Sequence, residues 1–222
     1  MRLILAMLTW LLKKLRFGQS EDGHGSSSQF EVERKYRLSQ EEFDDLPSIL
    51  RRSGYHFHRE QQMTDTFIPA LEQDDMIRIR DIRSQGKDSS VLTLKKWTVV
   101  EGERVRRERE TESLDPVARD CLLEMGTRLA TEALLSFSKK RVEYRGERDG
   151  KTVTIALDQV DGLGAYSGPY LEVEVLSHQE SEVGEALACV EKVAFELLGG
   201  EREMSMSYME MLKLSRAETP GR

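Results

Sequence analysis

The chain has 222 residues, of which 33 are Lys or Arg and 40 are Asp or Glu, so its net charge is -7. This length suits one domain with a substantial core. The acidic balance excludes a basic domain that binds duplex nucleic acid, and the cations are expected to act as a local cluster. The two cysteines, Cys121 and Cys189, lack metal-site spacing and are predicted to be reduced packing residues.

The N-terminus carries an apolar run from Leu3 to Leu12, which basic residues follow. Ten helical residues reach about 15 Å, half the hydrocarbon thickness of a bilayer, so this run should not span a membrane. Weak interfacial anchoring through this segment, an unremoved extension and a misassigned start remain open. The predicted location is cytoplasmic, with membrane association through the N-terminal segment as the alternative.

Composition divides the chain into one folded region and its flanks. A Gly- and Ser-rich stretch follows the apolar run and is typical of a flexible linker. The predicted divisions are an apolar and basic extension over 1–17, a linker over 18–29, one folded domain over 30–215 and a tail over 216–222.

The first predicted strand, near 30–38, begins with alternating charges. Side chains two residues apart in a strand share a face and stand about 6.7 Å apart. Glu31, Glu33 and Lys35 therefore point one way, while Val32 and Tyr36 point the other. The strand is expected to have one charged face and one apolar face.

A helix and a group of cation-bearing strands come next. Ser39 opens a capping-box pattern, which predicts a helix from there to about Arg52. Arg78 and Arg80 then repeat at period two, and Lys95 ends an apolar run. These features predict strands near 61–68, 76–82, 90–97 and 104–112.

The strand near 104–112 mixes both signs, because Arg106, Glu108 and Glu110 share one of its faces. After it, Asp115 precedes a proline, which is typical of an N-cap followed by the first helical residue. The spacing of apolar residues predicts a helix from Asp115 towards Leu135.

The last predicted strands are near 137–147, 151–158 and 170–176. They carry Lys139 and Arg141, then Asp158, and finally the acid pair Glu172 and Glu174. The acid pairs of the first and last strands could together hold a divalent cation through carboxylate oxygens. Two more helices are predicted, one from about Ser181 to Leu198 and a short one carrying Tyr208, a residue expected to pack.

Eight such strands could lie open or closed. Alternation alone favours open antiparallel strands with their charged faces in water. The sorting of sign by strand weakens that interpretation, because like charges about 5.5 Å apart cost about 3 kcal/mol at an effective dielectric near 20. An enclosed face would then need counter-charges or a ligand. Eight strands can also close around one small ligand, and the closed alternative is an α+β fold, a closed eight-stranded antiparallel β-barrel with helices packed outside, which is the fold that the resemblance described below implies.

The order of these motifs carries a resemblance. The sequence contains Glu31-x-Glu33-x-Lys35, Thr64 to Phe67, Arg78-x-Arg80, Lys95, Arg106-x-Glu108-x-Glu110, Lys139-x-Arg141, Asp158, Glu172-x-Glu174 and Ser207 to Leu212. This ordered set resembles the CYTH family, also called triphosphate tunnel metalloenzymes, which includes class IV adenylyl cyclases, thiamine triphosphatases and inorganic triphosphatases. The resemblance spans roughly residues 29–214.

The resemblance implies a tunnel in which basic residues hold a triphosphate and carboxylates bind Mg²⁺ or Mn²⁺. It implies metal binding by Glu31, Glu33, Glu108, Glu110, Asp158, Glu172 and Glu174. It implies phosphate contacts by Lys35, Arg78, Arg80, Lys95, Arg106, Lys139 and Arg141. The implied catalytic residues are Glu31, Glu33, Lys35, Glu172 and Glu174. Glu108 and Glu110 could instead pair with neighbouring arginines.

We expect a metal-dependent hydrolase that cleaves a phosphoanhydride bond of a small inorganic or organic triphosphate. One alternative is a class IV-type adenylyl cyclase that makes cyclic AMP and pyrophosphate from ATP. Class IV cyclases often carry a His-Phe pair ahead of the first acidic strand, whereas here Gly25 follows His24 and Gln29 precedes Phe30. The other alternative is a non-catalytic module that binds polyphosphate or a nucleotide. Its weakness is that carboxylates repel an anion unless a metal intervenes.

Overall fold

The structure is a computed structural model that describes residues 29–69, 75–100, 102–111, 113–130, 133–200 and 204–218. Its strands are β1 (Gln29–Arg37), β2 (His56–Ile68), β3 (Asp75–Ser84), β4 (Lys87–Val100), β5 (Glu103–Glu110), β6 (Leu135–Arg148), β7 (Lys151–Asp161) and β8 (Gly168–Ser177). They form a closed antiparallel barrel in the order β1-β5-β4-β3-β2-β6-β7-β8. The predicted fold class is confirmed.

The helices lie outside or at the end of the barrel. They are α1 (Gln40–Arg52), α2 (Pro116–Leu129), α3 (Val183–Leu198) and α4 (Tyr208–Glu218), with single 3-10 turns at Gly164–Tyr166 and Glu180–Glu182. The predicted capping box of α1 is present, since Ser39 Oγ accepts from the Glu42 amide and the Glu42 carboxylate accepts from the Ser39 amide. Leu46 and Leu50 then bury one side of α1.

The apolar faces of the strands point outward, as predicted. Val32 of β1 and Val173 of β8 are buried in one cluster with Val190 and Val193 of α3. The side chains of the alternate residues in each strand point into the barrel, and most of them are charged. The pleat of each strand therefore places the apolar core between barrel and helices, and the charges inside the barrel.

Helix α2 ends earlier than predicted. Its N-terminus matches the prediction, because Asp115 caps the amides of Val117 and Ala118. It stops at Leu129, whereas the apolar spacing predicted a helix towards Leu135. The backbone of Leu135 pairs with Phe67 of β2, so this residue belongs to the sheet ladder and cannot extend the helix.

Several strands are longer than predicted because their turns are tight. Ser84 of β3 pairs directly with Lys87 of β4, and only Gln85 and Gly86 separate them. Both linking residues have positive φ, 51° and 75°, which is the backbone of a two-residue hairpin turn. Strand β3 therefore continues past its predicted end at 82, and β4 begins before its predicted start at 90.

Helix α4 covers one end of the barrel, which we call the closed end. Met211 and Leu212 of α4 are buried with Phe137 of β6 and Tyr170 of β8. The backbone leading to α4 is also tied to the barrel, because the Met204 amide donates to the Lys35 carbonyl at 2.6 Å. The predicted short helix is confirmed, and it carries Tyr208 to the barrel interior.

Within the described ranges, none of the helices combines the length and apolar character required to cross a bilayer. The predicted extension over 1–17 and all of the predicted linker except Gln29 lie outside the described residues, as do residues 219–222. The domain divisions, the cytoplasmic location and the membrane association stay predictions.

Candidate functional site

The barrel encloses a cavity of about 780 Å³, which we call the bore. All but one of the predicted site residues line it: Glu31, Glu33, Lys35, Arg78, Arg80, Lys95, Arg106, Glu108, Glu110, Lys139, Arg141, Glu172 and Glu174. The exception is Asp158, which is fully buried beneath the bore-lining side chains of Lys139, Arg141 and Tyr208 that donate to it. Rows of charge from distant parts of the sequence thus face one enclosed space.

Three carboxylates meet on one wall of the bore, and we call Glu31, Glu33 and Glu174 the acidic trio. One oxygen from each lies within 4.8 Å of the others. The register explains this approach, because β1 pairs with β8 and sets Glu33 directly opposite Glu174. Oxygens so arranged are the ligand type that Mg²⁺, Ca²⁺ and Mn²⁺ prefer. The trio could therefore hold a divalent cation.

The electrostatics of Glu174 fit such a site. Burial, together with the negative charges of Glu31 and Glu33, raises the pKa of Glu174 to about 8. Near neutral pH the protein therefore tends to keep a proton on this carboxyl. A divalent cation would supply the missing positive charge and displace the proton.

Three cations border the acidic trio, and one of them, Lys35, has its Nζ 3.6 Å from Glu33. Lys95 Nζ contacts Glu31 at 2.6 Å and Glu108 at 2.8 Å. Although burial opposes the charge, Glu108 and Glu31 raise the pKa of Lys95 above its usual value. Arg106 lies 3.5 Å from Glu33 on the neighbouring strand. Lys95 and Arg106 are therefore held in their charged forms at the edge of the trio.

A buried aspartate orients two predicted phosphate-binding arginines. Asp65 of β2 accepts from Arg80 Nε at 2.6 Å and from Arg80 Nη2 at 2.8 Å, and it also accepts from Arg78 at 3.4 Å. Although burial opposes ionisation, Arg80 and Arg78 hold the pKa of Asp65 well below its usual range. Asp65 belongs to the Thr64 to Phe67 motif of the family resemblance, but it was not among the predicted site residues.

Glu108 and Glu110 both lie near an arginine of β3. Arg78 lies 3.8 Å from Glu108 and 3.6 Å from Glu110. Glu110 also accepts from Thr93 Oγ1 at 2.7 Å. Neither carboxylate belongs to the acidic trio, so the geometry favours pairing with cations. Their predicted role in metal binding stays a prediction.

Asp158 is surrounded by donors. It accepts from Lys139 Nζ at 2.7 Å, from Arg141 Nε and Nη2 at 2.7 Å, and from the Tyr208 hydroxyl at 3.1 Å. Although burial opposes ionisation, Arg141 and Lys139 lower the pKa of Asp158. These contacts favour a role in positioning cations over the predicted role as a metal ligand.

Glu172 likewise faces cations. Lys35 Nζ lies 3.2 Å from it, and Arg141 Nη2 donates to its other oxygen. Although burial opposes ionisation, Lys139, Lys35 and Arg141 hold the pKa of Glu172 well below its usual range. Burial and the positive charge of Arg141 lower the pKa of Lys139 to about 8, which disfavours the charged form of this lysine. This part of the bore is crowded with charges that an anionic ligand would rearrange.

Tyr208 contributes more than the predicted packing. Its ring lies under two ammonium groups, with Lys35 Nζ 3.8 Å and Lys139 Nζ 5.0 Å from the ring centroid. Its hydroxyl donates to Asp158, as described above. Aromatic faces attract cations, so Tyr208 fixes both lysines at the closed end. In the sequence, Tyr208 belongs to the Ser207 to Leu212 motif of the family resemblance, but it lies on a helix outside the strand pattern and was expected only to pack.

A second group that the sequence analysis missed lies at the other end of the bore. Glu143 of β6 is almost fully buried and pairs with Arg59 of β2 and Arg145 of β6. Both arginines line the cavity. A period-two signal was available, because Glu143 and Arg145 continue the inward-facing series begun by Lys139 and Arg141.

The fold and the motifs match known proteins. The family model of the CYTH domain matches residues 29–204. PH1819 from Pyrococcus horikoshii OT3 is 30% identical, with a TM-score of 0.65, over 84% of this chain and 99% of that chain. A candidate adenylate cyclase from Vibrio parahaemolyticus is 19% identical, with a TM-score of 0.58, over 84% of this chain and 99% of that chain.

A further similar structure has a named activity. The candidate adenylyl cyclase HpAC1 from Hippeastrum, described as having dominant triphosphatase activity, is 17% identical, with a TM-score of 0.54, over 84% of this chain and 95% of that chain. The Vibrio and Hippeastrum likenesses show the fold alone, and no curated protein matches the chain. The family match covers most of the chain and agrees with the closed barrel and its charged bore. The chain belongs to the CYTH domain family.

Proposed function

We propose that this protein is a metal-dependent hydrolase that cleaves a phosphoanhydride bond of a triphosphate inside the bore. One observation carries the proposal: the three carboxylates of the acidic trio lie within 4.8 Å of one another in a cavity that many Lys and Arg side chains also line. A receptor for anions alone gains nothing from such a trio, because the carboxylates repel its ligand. A metal makes the two sets of charges compatible.

Glu31, Glu33 and Glu174 would hold the cation, which we propose is Mg²⁺ or Mn²⁺. When bound, the metal would polarise a phosphoryl group and neutralise charge that develops during cleavage. Because the trio lies beside Lys95 and Arg106, a phosphate that approaches the metal would also meet these two fixed cations.

The predicted phosphate-binding residues would hold the substrate in line. Arginine offers a planar fork that matches phosphate oxygens, and Arg78, Arg80 and Arg141 are each already oriented by an aspartate. Phosphoryl transfer depends mainly on positioning and charge stabilisation. We propose that Asp65 and Asp158 act as positioning residues, because each is a buried carboxylate that is already engaged by the guanidinium forks it fixes.

The cyclase alternative uses the same metal and phosphate contacts and differs in its products. Hydrolysis releases orthophosphate, whereas cyclisation releases pyrophosphate and cyclic AMP. In HpAC1 this fold accompanies a dominant triphosphatase activity, which favours hydrolysis as the first hypothesis. The non-catalytic alternative predicts binding without any product.

The test is a substrate panel of tripolyphosphate, thiamine triphosphate and ATP with Mg²⁺ or Mn²⁺ present. Orthophosphate, pyrophosphate and cyclic AMP are all quantified. We expect orthophosphate from at least one substrate and none after chelation of the metal. Cyclic AMP as the main product from ATP would replace the hydrolase with the cyclase, and the absence of every product would favour the binding module.

A pair of variants ties activity to the trio. Glu31→Gln should abolish turnover while the protein still folds, as circular dichroism would show. Glu185→Gln on α3 is the matched control, because Glu185 also pairs with a lysine, Lys151 at 3.1 Å, but on the outer surface. Unchanged metal-dependent phosphate release by Glu31→Gln would remove the trio from the mechanism.

A further inference from the structure

The end of the bore opposite α4 carries a charged cluster that the proposed mechanism does not use. We call Arg59, Glu143 and Arg145 the mouth cluster. Arg59 donates to Glu143 Oε2 from Nε at 3.1 Å and from Nη2 at 2.9 Å. Arg145 donates to Oε1 from Nε at 3.1 Å, and its Nη2 lies 2.9 Å from the same oxygen. One buried carboxylate therefore orients two guanidinium groups.

The local backbone aims both arginines into the bore. The pairing of β2 with β6 shifts register between Phe57 and Arg59, which marks a β-bulge. Phe57 packs edge-on against Tyr144 with ring centroids 6.2 Å apart, and Tyr144 belongs to the outer core. The bulge lets Arg59 face inward beside Glu143 even though Phe57 faces outward. Bulges commonly redirect a side chain in this way.

The mouth cluster has unused capacity to bind an anion. Each guanidinium has five N–H donors, and Glu143 engages only two nitrogens of each. Two positive charges share one negative charge, and His58 Nε2 lies a further 3.7 Å from the same carboxylate. The side chains of Arg59 and Arg145 are 43% and 44% exposed and line the bore. Donors and positive charge therefore remain available to a ligand in the bore.

The cluster lies close to the acidic trio along the wall. Arg145 pairs with Thr154 of β7, and Thr154 pairs with Glu174 of β8. Neighbouring strands are about 4.8 Å apart, so two such steps separate Arg145 from Glu174 by about 10 Å. A substrate with its reacting phosphates at the trio would extend from there towards the mouth cluster.

The residues that line the two ends of the bore favour a phosphate over an aromatic base at the mouth cluster. The aromatic rings that line the bore belong to Phe67, Phe137 and Tyr208. Phe67 and Phe137 stack with ring centroids 6.0 Å apart, and Tyr208 packs at a tilt against Phe137 at the closed end. Phe137 precedes Arg145 by eight residues of β6, which is about 26 Å along a strand. Among the described residues, the lining near Arg145 is formed by charged groups, Thr154 and Leu176, without an aromatic side chain.

We propose that the mouth cluster is an outer anion subsite that binds phosphate groups beyond the third. The protein would then prefer linear polyphosphates of four or more phosphates to a nucleoside triphosphate, whose organic part would meet two guanidinium groups instead of a stacking surface. This inference rests on the proposed function, because it assumes that phosphates react at the acidic trio.

The test compares kcat/KM for tetrapolyphosphate with kcat/KM for tripolyphosphate in the same metal buffer. The ratio should exceed one for the wild type and should fall about tenfold in Arg145→Gln, which loses a charge-assisted contact to the extra phosphate. Arg145→Lys keeps the charge without the fork and should fall between them. Arg83→Gln is the matched control, because Arg83 pairs with Asp88 by the same two-nitrogen geometry in an exposed hairpin. It should leave the ratio unchanged.

Three results would separate the possible failures. A ratio that stays constant across Arg145→Gln and the wild type overturns the subsite while leaving the hydrolase intact. If the wild type hydrolyses neither compound, calorimetric titration with both polyphosphates decides the subsite, and the substrate panel decides the proposed function separately. Tighter binding of tetrapolyphosphate that Arg145→Gln abolishes supports it, and equal affinities overturn it. If Arg145→Gln does not fold, Arg59→Gln provides the same comparison.

Discussion

The buried aspartate of β2 gives the sharpest test of how the bore is held together. Asp65→Asn keeps the shape of the side chain but removes its negative charge. Arg80 loses a carboxylate contacted at 2.6 and 2.8 Å, and Arg78 loses one contacted at 3.4 Å. Asp65 is 1% exposed, so water cannot replace it fully.

The expected loss in the free energy of unfolding is about 3 kcal/mol. Breaking a buried ion pair by removing one partner typically costs about 3–5 kcal/mol. The lower end applies here, because Arg78 also lies 3.8 and 3.6 Å from Glu108 and Glu110, which offset part of the loss. For a domain of this size the melting temperature should fall by about 6–12 °C.

The assay is urea unfolding followed by circular dichroism, with Asp88→Asn as the control. Asp88 holds Arg83 through two nitrogens at 2.8 and 3.2 Å, but on the surface, where such pairs contribute little. The comparison therefore isolates burial from geometry. Equal midpoints for Asp65→Asn and Asp88→Asn would refute the reasoning.

The pH dependence provides an internal check on the same variant. The pKa of Asp65 is held below its usual value because Arg80 and Arg78 outweigh the effect of burial. A lowered pKa in the folded state contributes stability above the pKa of the unfolded state, about 3.9, and loses it as the pH falls further. The gap between wild type and Asp65→Asn should therefore be constant from pH 5 to 7 and should narrow below about pH 4.

Further predictions concern the trio, the closed end and one tight contact. Because the pKa of Glu174 is raised to about 8, the stability of the metal-free protein should fall as the pH rises from about 4.5 to 8. Over the same range the affinity for Mn²⁺ should rise by up to about tenfold per pH unit. Thermal melts and calorimetry that show the same pH profiles for wild type and Glu174→Gln would contradict this. Tyr208→Leu removes the ring beneath both lysines and should raise the KM for the hydrolysed triphosphate more than Tyr208→Phe does, whereas equal KM values would exclude the ring as a positioning group. Gly146→Ala would place its Cβ 2.6 Å from Tyr55 Cδ1, so the free energy of unfolding should fall by about 1–3 kcal/mol, and an unchanged denaturation midpoint would refute the clash.

The strands and their charged faces could be predicted from the sequence because period two is a local property. Glu31, Glu33 and Lys35 share a face whatever the strand pairs with. Strand number and sign sorting made a closed barrel possible, the family resemblance implied one, and its closure is confirmed. Element ends were less predictable, as α2 shows, because the backbone of Leu135 pairs with a strand almost seventy residues earlier.

The finer organisation of the bore depends on register, which local patterns do not contain. Glu33 and Glu174 meet because β1 and β8 pair at one particular alignment. Asp65 becomes a partner of Arg80 through the register of β2 and β3, although nothing near it in the sequence is cationic. Tyr208 enters from a helix that closes the barrel end. Contacts of this kind require the three-dimensional arrangement.

The most direct test of the central claim is anomalous diffraction at the manganese edge from crystals of the full chain grown with Mn²⁺ and tripolyphosphate. We expect an anomalous peak inside the bore, within coordination distance of at least two carboxylates of the acidic trio. We also expect phosphate density that reaches the surrounding Lys and Arg side chains. A bore without a manganese peak under saturating conditions, or manganese bound only on the outer surface, would contradict the claim.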